Sequence, residues 1–163
     1  MLTARSAGLV ALLSLATAGA GALSGQGTAQ DSLSNAIELM RSNVRATKAD
    51  LIGRSLALPD SQAAVFWPMF REYEAEFGKL ADDRVALIKE YLIAYDTLSD
   101  AKAKDLMLRM YDLEARRVKL SRDTFNRFSK KLPAKTVAHF LQIDGFLNRV
   151  IDLQIAAALP EVK

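Results

Sequence analysis

The chain has 163 residues, half of them apolar and a quarter charged, which is typical of a single globular domain. Four prolines and eight glycines favour long helices over an all-β fold. The sequence has no cysteine, which excludes disulfides, thiol catalysis, thiolate metal sites and a lipid-anchored lipoprotein. The single histidine excludes a metal site made of several histidines, and the net charge of +3 is too small to imply nucleic-acid binding.

The N-terminus has the pattern of a secretory signal peptide. Arg5 gives a short positive region, residues 8–15 are apolar, and small residues follow. Candidate cleavage sites are Ala16-Thr17-Ala18, Ala20-Gly21-Ala22 and Gly27-Thr28-Ala29. The alternative is a membrane anchor, but the apolar region is short for a span of about 20 residues and no basic stop-transfer cluster follows it. We therefore predict a signal peptide over residues 1–29, one all-helical domain over residues 30–163, and a periplasmic location, which suits a chain without thiols.

Apolar residues at steps of three and four predict four helices after the signal peptide. The expected helices run from Ser32 to Arg54, from Asp60 to Tyr95, from Asp100 to Lys131 and from Ala134 to Leu159. The second helix would be about 50 Å long, a length typical of a bundle or a coiled-coil-like pair. Pro68 lies inside its pattern, where it either kinks the helix or is tolerated. We predict an all-α fold, an elongated four-helix bundle in which long amphipathic helices 2 and 3 form an antiparallel hairpin.

The first two helices have clear apolar stripes. In the first, Ile37, Met40, Val44 and Leu51 form the stripe, and Arg41, Arg45 and Lys48 are spaced to lie on the other side. In the second, the stripe is Phe66, Phe70, Tyr73, Phe77, Leu80, Leu87 and Tyr91, interrupted once by Arg84 and flanked by Trp67. Most of these rings are expected in the core, although a thin bundle would leave some of them lining an open groove that binds other chains.

The last two helices have similar stripes. The third has Ala103, Leu106, Met110, Leu113, Leu120 and Phe128, with Met107, Val118 and Phe125 beside them. The fourth has Val137, Phe140, Leu141, Leu147, Val150, Ile151 and Ile155. Both patterns predict one core-facing side per helix.

A leucine followed by proline or serine precedes each of the last three helices. The three helix starts are Leu58-Pro59-Asp60, Leu98-Ser99-Asp100 and Leu132-Pro133-Ala134. Ser99 can cap its helix, and each leucine can pack onto the first core turn. Residues 58–80 and 98–120 also align without gaps, which reflects either a duplication or only the shared helix pattern.

No residue pattern indicates catalysis. His139 has no nucleophile or carboxylate partner indicated nearby, so we expect it at the surface or the core boundary. Glu72 and Glu76 lie one turn apart and can bind a hard cation weakly, but a solvated face is the preferred interpretation. The sequence has no phosphate-binding loop, nucleophile elbow or HExxH motif. We therefore expect no enzymatic activity, no cofactor and no metal.

The region from Arg116 to Lys135 carries eight positive charges, which only Asp123 opposes. This is either a solvated helix end, where cations offset the helix dipole, or a contact surface for acidic partners, unfolded chains or anionic lipid headgroups. The predicted binding surface consists of Arg109, Arg116, Arg117, Lys119, Arg122, Phe125, Arg127, Phe128, Lys130, Lys131 and Lys135.

Two of the helix starts resemble a known motif. Leu58-Pro59-Asp60-Ser61-Gln62 and Leu98-Ser99-Asp100-Ala101-Lys102 are similar to the Leu-Thr-x-x-Gln motif of the Spy/CpxP-like periplasmic proteins. The chain from Phe66-Trp67-Pro68 through Leu132-Pro133-Ala134-Lys135 to Phe140-Leu141-Gln142-Ile143 resembles a proteobacterial branch with similar helices. The resemblance covers roughly residues 35–158.

The resemblance implies a small helical dimer, shaped as a cradle, whose apolar and basic concave face holds unfolding clients without ATP. We therefore expect a periplasmic, chaperone-like holdase of the envelope stress response. The alternative is a non-enzymatic regulatory module that binds an envelope sensor or another periplasmic partner. The expected partners are unfolded or partner proteins and a second copy of the chain, with no nucleic acid and with weak contact to an anionic membrane surface.

Overall fold

The computed structural model describes residues 47–162 and, before them, residues 32, 35, 36 and 39, which are helical. The predicted signal peptide over residues 1–29 lies outside the described residues. Three apolar residues expected in the first helix, Ile37, Met40 and Val44, also lie outside them.

Four helical segments make up the described chain, and no strand occurs among its residues. Helix α1 covers residues 47–56, α2 is Asp60–Ala94, α3 is Asp100–Phe128 and α4 is Ala134–Ala158. A short 3₁₀ turn, Tyr95–Thr97, extends α2. The predicted all-α fold with long second and third helices is confirmed. Helix α3 ends at Phe128 rather than at Lys131, because the N–H groups of Lys131 and Leu132 both bond to the Phe128 carbonyl at 2.9 Å and close a turn.

The helix starts behave as their sequences predict. The Ser99 hydroxyl accepts a hydrogen bond from the Lys102 N–H at 3.3 Å, which caps α3. Pro133 stands just before α4, where its carbonyl accepts the Val137 N–H at 3.1 Å. Helix α2 continues unbroken through Pro68, so the proline is tolerated. The preceding leucines pack against the cores: Leu58, Leu98 and Leu132.

The long helices α2 and α3 form an antiparallel hairpin that turns at Leu98. Phe66 near the start of α2 contacts Phe128 at the end of α3, with ring centroids 6.1 Å apart. Helix α4 returns along α3, since Phe128 stacks on Phe140 at 5.7 Å. It therefore runs parallel to α2 and closes the groove between the other two helices.

The aromatic core lies at the end of the molecule where α3 passes into α4. It consists of Ile52, Phe66, Met69, Phe70, Tyr73, Phe128, Leu132, Val137 and Phe140. Phe140 is its centre, because its ring meets the edges of Phe66, Phe70 and Tyr73 at 5.3, 5.9 and 5.5 Å. The prediction that most rings of the aromatic run of α2 are core is confirmed for Phe66, Phe70 and Tyr73, whereas Trp67 and Phe77 pack against the core partly buried.

Two smaller aliphatic cores lie toward the other end. One holds Val85, Ile88, Leu92 and Ile155, and the other Leu87, Leu106 and Leu113. The chain after α4 is fixed there as well. The Tyr91 hydroxyl donates to the Pro160 carbonyl at 2.6 Å, and the Tyr95 hydroxyl donates to the Glu161 carbonyl at 3.0 Å.

Replacing Phe140 by Ala should lower the free energy of unfolding by about 3–5 kcal/mol, because the cavity removes contacts with four surrounding rings. Ile93→Ala is the control, since Ile93 of α2 is 76% exposed and belongs to none of the cores. Its effect should stay within about 0.5 kcal/mol. Urea unfolding of both variants measures the difference, and similar losses in the two would contradict the assignment of Phe140 to the core.

Candidate functional site

A layer of charged and polar side chains separates the aromatic core from the aliphatic cores. It is formed by Lys48 of α1, by Tyr73, Glu74 and Arg84 of α2, by Arg117 of α3, and by Asp144, Asn148 and Asp152 of α4. We call it the polar layer. Since buried charges are costly unless they are paired and hydrogen-bonded, the partners of each group decide what the layer can do.

Lys48 joins α1 to both α2 and α4. Its Nζ lies 2.7 Å from Glu74 Oε1 and 2.5 Å from Asp144 Oδ1, and it stands over the Phe77 ring, 4.8 Å from the centroid. The residue is only 4% exposed. The expectation that Lys48 lies on the solvent side of the first helix is therefore wrong, because two carboxylates distant in sequence meet its ammonium group inside the bundle.

Asp144 receives hydrogen bonds from two other side chains. The Tyr73 hydroxyl donates to Asp144 Oδ2 at 2.5 Å, and Asn148 Nδ2 donates to the same oxygen at 2.8 Å. Burial first, and then the charge of Asp144 and the hydrogen bond to it, raise the pKa of Tyr73 well above its ordinary value. Tyr73 therefore remains a hydrogen-bond donor at neutral pH, and three helices are held at one carboxylate.

A second ion-pair network crosses the layer at Asp152. This carboxylate accepts hydrogen bonds from Arg84 of α2 and, at 2.7 Å, from Arg117 of α3. Burial lowers the pKa of Arg117, but the hydrogen bond and charge of Asp152, together with the charge of Glu114, outweigh it and raise the pKa overall. Arg84 interrupts the apolar stripe in sequence, yet it lies inside because Asp152 pairs with it there.

A small pocket of about 80 Å³ opens beside the polar layer. Its apolar wall includes Phe77, Leu80, Val85, Leu113, Ile151 and Ile155. Three carboxylates also line it, and each is bound to a cation: Glu74 to Lys48, Glu114 to Arg117, and Asp152 to both arginines. A general base must be free to take a proton, so these ion pairs are typical of a structural network. Among the described residues, no three His, Asp or Glu side chains are grouped to hold a metal ion.

Much of the predicted basic surface is paired with acids of α2. The pairs are Arg127 with Glu76 at 2.8 Å, Arg116 with Asp83 at 2.8 Å, and Arg109 with Glu90 at 2.7 Å. The three acids recur every seven residues, so they lie along one side of α2. The charge excess of the basic run is therefore partly a ladder of ion pairs that runs along the α2–α3 hairpin.

The last pair of this ladder is reinforced at the turn between the two helices. Hydrogen bonds from Arg109 and then from Lys102 lower the pKa of Glu90 to about 2. The carboxylate therefore stays charged through mild acid and keeps both cations of α3 beside α2.

Three other residues of the predicted surface pair within α3 or pack in or against the core. Lys119 pairs with Asp123 on the same helix at 2.5 Å. Phe128 is fully buried, so its assignment to a client-binding surface is wrong. The reason is helical spacing, which places it with Leu113 and Thr124 on the buried side of α3. Phe125 is half-buried against the aromatic core.

Four cations of the predicted surface are exposed and have no acid within 4.0 Å in the part of the chain that the structure describes. They are Arg122, Lys130, Lys131 and Lys135. His139 is exposed, as predicted. Of the acidic pair on α2, Glu72 is exposed and Glu76 is bound to Arg127.

Sequence reasoning missed an apolar stripe on the solvent side of α3. Leu108, Tyr111 and Val118 are 58%, 63% and 60% exposed. With Ala115 they follow a 3-4-3 spacing, which places them on one side of the helix. We call these four residues the α3 outer face. The same spacing rule that found the buried stripe would have found this one, because the helix carries apolar residues on two opposite sides.

Helix α4 has a comparable stripe. Phe146, Val150 and Leu153 are exposed, and with Ala157 they follow a 4-3-4 spacing. We call these four residues the α4 seam. The buried residues of the same helix, such as Phe140 and Ile155, lie on the opposite side. Both α3 and α4 therefore present apolar side chains away from the bundle as well as into it.

Comparison with protein-family models, with curated proteins and with solved structures finds no match to this chain. The resemblance to Spy/CpxP-like proteins therefore stays a prediction. Within the described residues, no helix combines the length and the hydrophobicity needed to cross a membrane.

Replacing Lys48 by Met should lower the free energy of unfolding by about 3–5 kcal/mol, because Glu74 and Asp144 then remain buried without their common cation. Arg54→Met is the control, since Arg54 forms an exposed pair with Asp50 on the same helix. Its loss should not exceed about 1 kcal/mol. Urea unfolding at neutral pH measures both free energies. A Lys48→Met loss as small as that of the control would refute the role of Lys48 as the common cation that joins α1 to α2 and α4.

Proposed function

We propose that this protein is a non-enzymatic, ATP-independent holdase of the periplasm, which binds unfolded segments of other chains on the α3 outer face. The observation that carries the proposal is the row of three large, exposed apolar side chains on one side of a helix. A contiguous row of apolar residues exposed on a protein surface marks a contact site for other chains.

Positive charges at both ends of the α3 outer face support its use as a binding surface for unfolded segments. Lys104 and Arg122 continue its spacing, four residues before Leu108 and four residues after Val118. Both are exposed and, in the described part of the chain, have no acidic partner within 4.0 Å. A segment with apolar residues and flanking acids can therefore bind along about 27 Å of helix. The convex side of one helix has no enclosing pocket, which favours weak contacts with many sequences over one specific ligand.

The variant L108S/Y111S/V118S should lose most of the ability of the protein to suppress aggregation of a denatured client at low salt. The physical reason is the removal of the exposed apolar area that would cover the client's own apolar residues. The matched control is F146S/V150S/L153S, which removes three exposed apolar side chains from α4. Light scattering with a several-fold molar excess of each protein gives the readout, after circular dichroism has shown that both variants keep their helices.

Two results would count against the holdase. One is a wild-type protein that does not suppress aggregation at that excess. The other is an equal loss in both variants, which would show that the α3 outer face is not the specific site for clients.

A regulatory module that binds one specific partner is the second candidate, and the α4 seam favours it. A 4-3-4 row of apolar residues is the spacing by which one helix pairs with another in a coiled coil. Such pairing selects a defined helix rather than an extended, unfolded segment. Crosslinking in cells separates the candidates, because one dominant heterologous partner supports the regulatory module and a diffuse set of clients supports the holdase.

A second copy of this chain also fits the α4 seam by its own chemistry, and a dimer built there would exclude a heterologous helix from the same row. In a parallel pair, the seam positions bring Arg149 of one copy beside Gln154 of the other, since these flanking positions lie five residues apart. No like charges meet in that arrangement. Because Leu153 is 71% exposed in the single chain, pairing would remove a large apolar area from water.

We therefore expect the protein to be a homodimer that F146S/V150S/L153S converts to a monomer. The control here is L108S/Y111S/V118S, which should leave the dimer intact because its substitutions lie on α3. Sedimentation equilibrium over a range of concentrations measures both. A wild-type monomer at high concentration, or dissociation of the α3 variant, would contradict a dimer built on the seam.

A further inference from the structure

The turn between α3 and α4 carries three exposed lysines that the ion-pair ladder does not use. Lys130 and Lys131 lie in the turn and Lys135 lies in the first turn of α4. None has an acid within 4.0 Å among the residues that the structure describes. No Asp or Glu occurs anywhere in residues 124–143. We call these three lysines the basic tip.

The charges of the neighbouring helices leave the basic tip positive. Helix α2 begins beside α4, as the Thr136–Gln62 hydrogen bond at 3.3 Å shows, and it contributes the single acid Asp60. Arg127 is neutralised by Glu76, and Arg54 at the end of α1 by Asp50. This end of the bundle therefore carries three exposed lysines and one acid, Asp60, without a cation bound to it among the described residues. The first turn of α4 has no acid and no side-chain cap, so the helix dipole adds to the positive potential.

The basic tip has no exposed apolar anchor. Leu132 lies between the lysines, but it is buried in the aromatic core together with Phe128. Binding at this end is therefore electrostatic and peripheral, without insertion into an apolar phase. The lysines also do not enclose a pocket, so they suit an extended plane of negative charge better than a single bound phosphate.

We propose that the basic tip docks the protein end-on to anionic phospholipid headgroups. A bilayer surface presents many headgroups at once, so the three lysines can each contact a different lipid phosphate. The signal-peptide pattern of residues 1–29 favours an encounter with an envelope membrane over one with nucleic acid. The α3 outer face runs away from the tip along residues 108–118, so docking leaves it accessible. This proposal does not depend on which chains that face binds.

Cosedimentation with lipid vesicles tests the docking. The purified protein should bind vesicles of phosphatidylcholine that contain about one third phosphatidylglycerol, and should not bind vesicles of phosphatidylcholine alone. The binding should disappear at about 0.5 M salt, because screening shortens the reach of exposed charges to a few ångströms.

The variant K130Q/K131Q/K135Q should weaken binding to the anionic vesicles by about a hundredfold, or about fivefold for each lysine. The control K79Q/K89Q/K119Q removes the same charge from exposed lysines of α2 and α3 and should change the binding by less than about threefold. All six positions are exposed, so neither variant should disturb folding.

Four outcomes would overturn the proposal. They are no binding to the anionic vesicles, equal binding to phosphatidylcholine alone, equal weakening by the two variants, and equally tight binding to a single-stranded oligonucleotide. The third would show that net charge acts without the basic tip, and the fourth that the tip recognises polyanions in general.

Discussion

The contact between Lys48 and Asp144 is the constraint on which the arrangement of the helices depends. Asp144 lies on α4, and its two oxygens take hydrogen bonds or ion pairs from Lys48 of α1, Tyr73 of α2 and its own neighbour Asn148. An ion pair out of water contributes little net stability, but leaving one member alone is very costly. The pair therefore specifies the rotation of α4 about its axis. That rotation decides which side of α4 faces the core and leaves Phe146 and Leu153 outside.

The ion-pair ladder changes the meaning of the basic run on α3. A count of local charges finds one acid among eight cations, whereas in the fold Glu76 and Asp83 of α2 supply partners for Arg127 and Arg116. The ladder favours this register of the hairpin, because all three arginines, Arg109, Arg116 and Arg127, meet an acid of α2 in it. Among the described residues, four of the eight cations have no acid within 4.0 Å: Arg122 follows the α3 outer face, and Lys130, Lys131 and Lys135 form the basic tip. Binding therefore has to be sought in exposed apolar rows and in the basic tip rather than in the run as a whole.

The helices, their starts and the aromatic core could be predicted because each depends on neighbours within a few residues. Ser99 caps its own helix, and the Phe66–Phe70 pair follows from a four-residue spacing. Lys48 was placed wrongly because its burial is decided by contact with a residue far along the chain, Asp144. Phe128 was placed wrongly on the basic surface although its spacing puts it in the buried stripe of α3. The outer faces could have been found, since their spacing is as regular as that of the buried stripes, but one stripe per helix was assumed.

In a small helical bundle each helix buries only the side that faces the core. Helices α3 and α4 each use one side for the core, so the second apolar row on each is left in water. Such rows expose a protein to self-association, and nothing in the packing of the described chain requires them. The flanking charges differ between the two: cations stand at both ends of the α3 outer face, whereas the α4 seam has glutamines and one arginine beside it. Because of this difference, we assign unfolded segments with flanking acids to the α3 outer face, and the α4 helix of a second copy of the chain to the α4 seam.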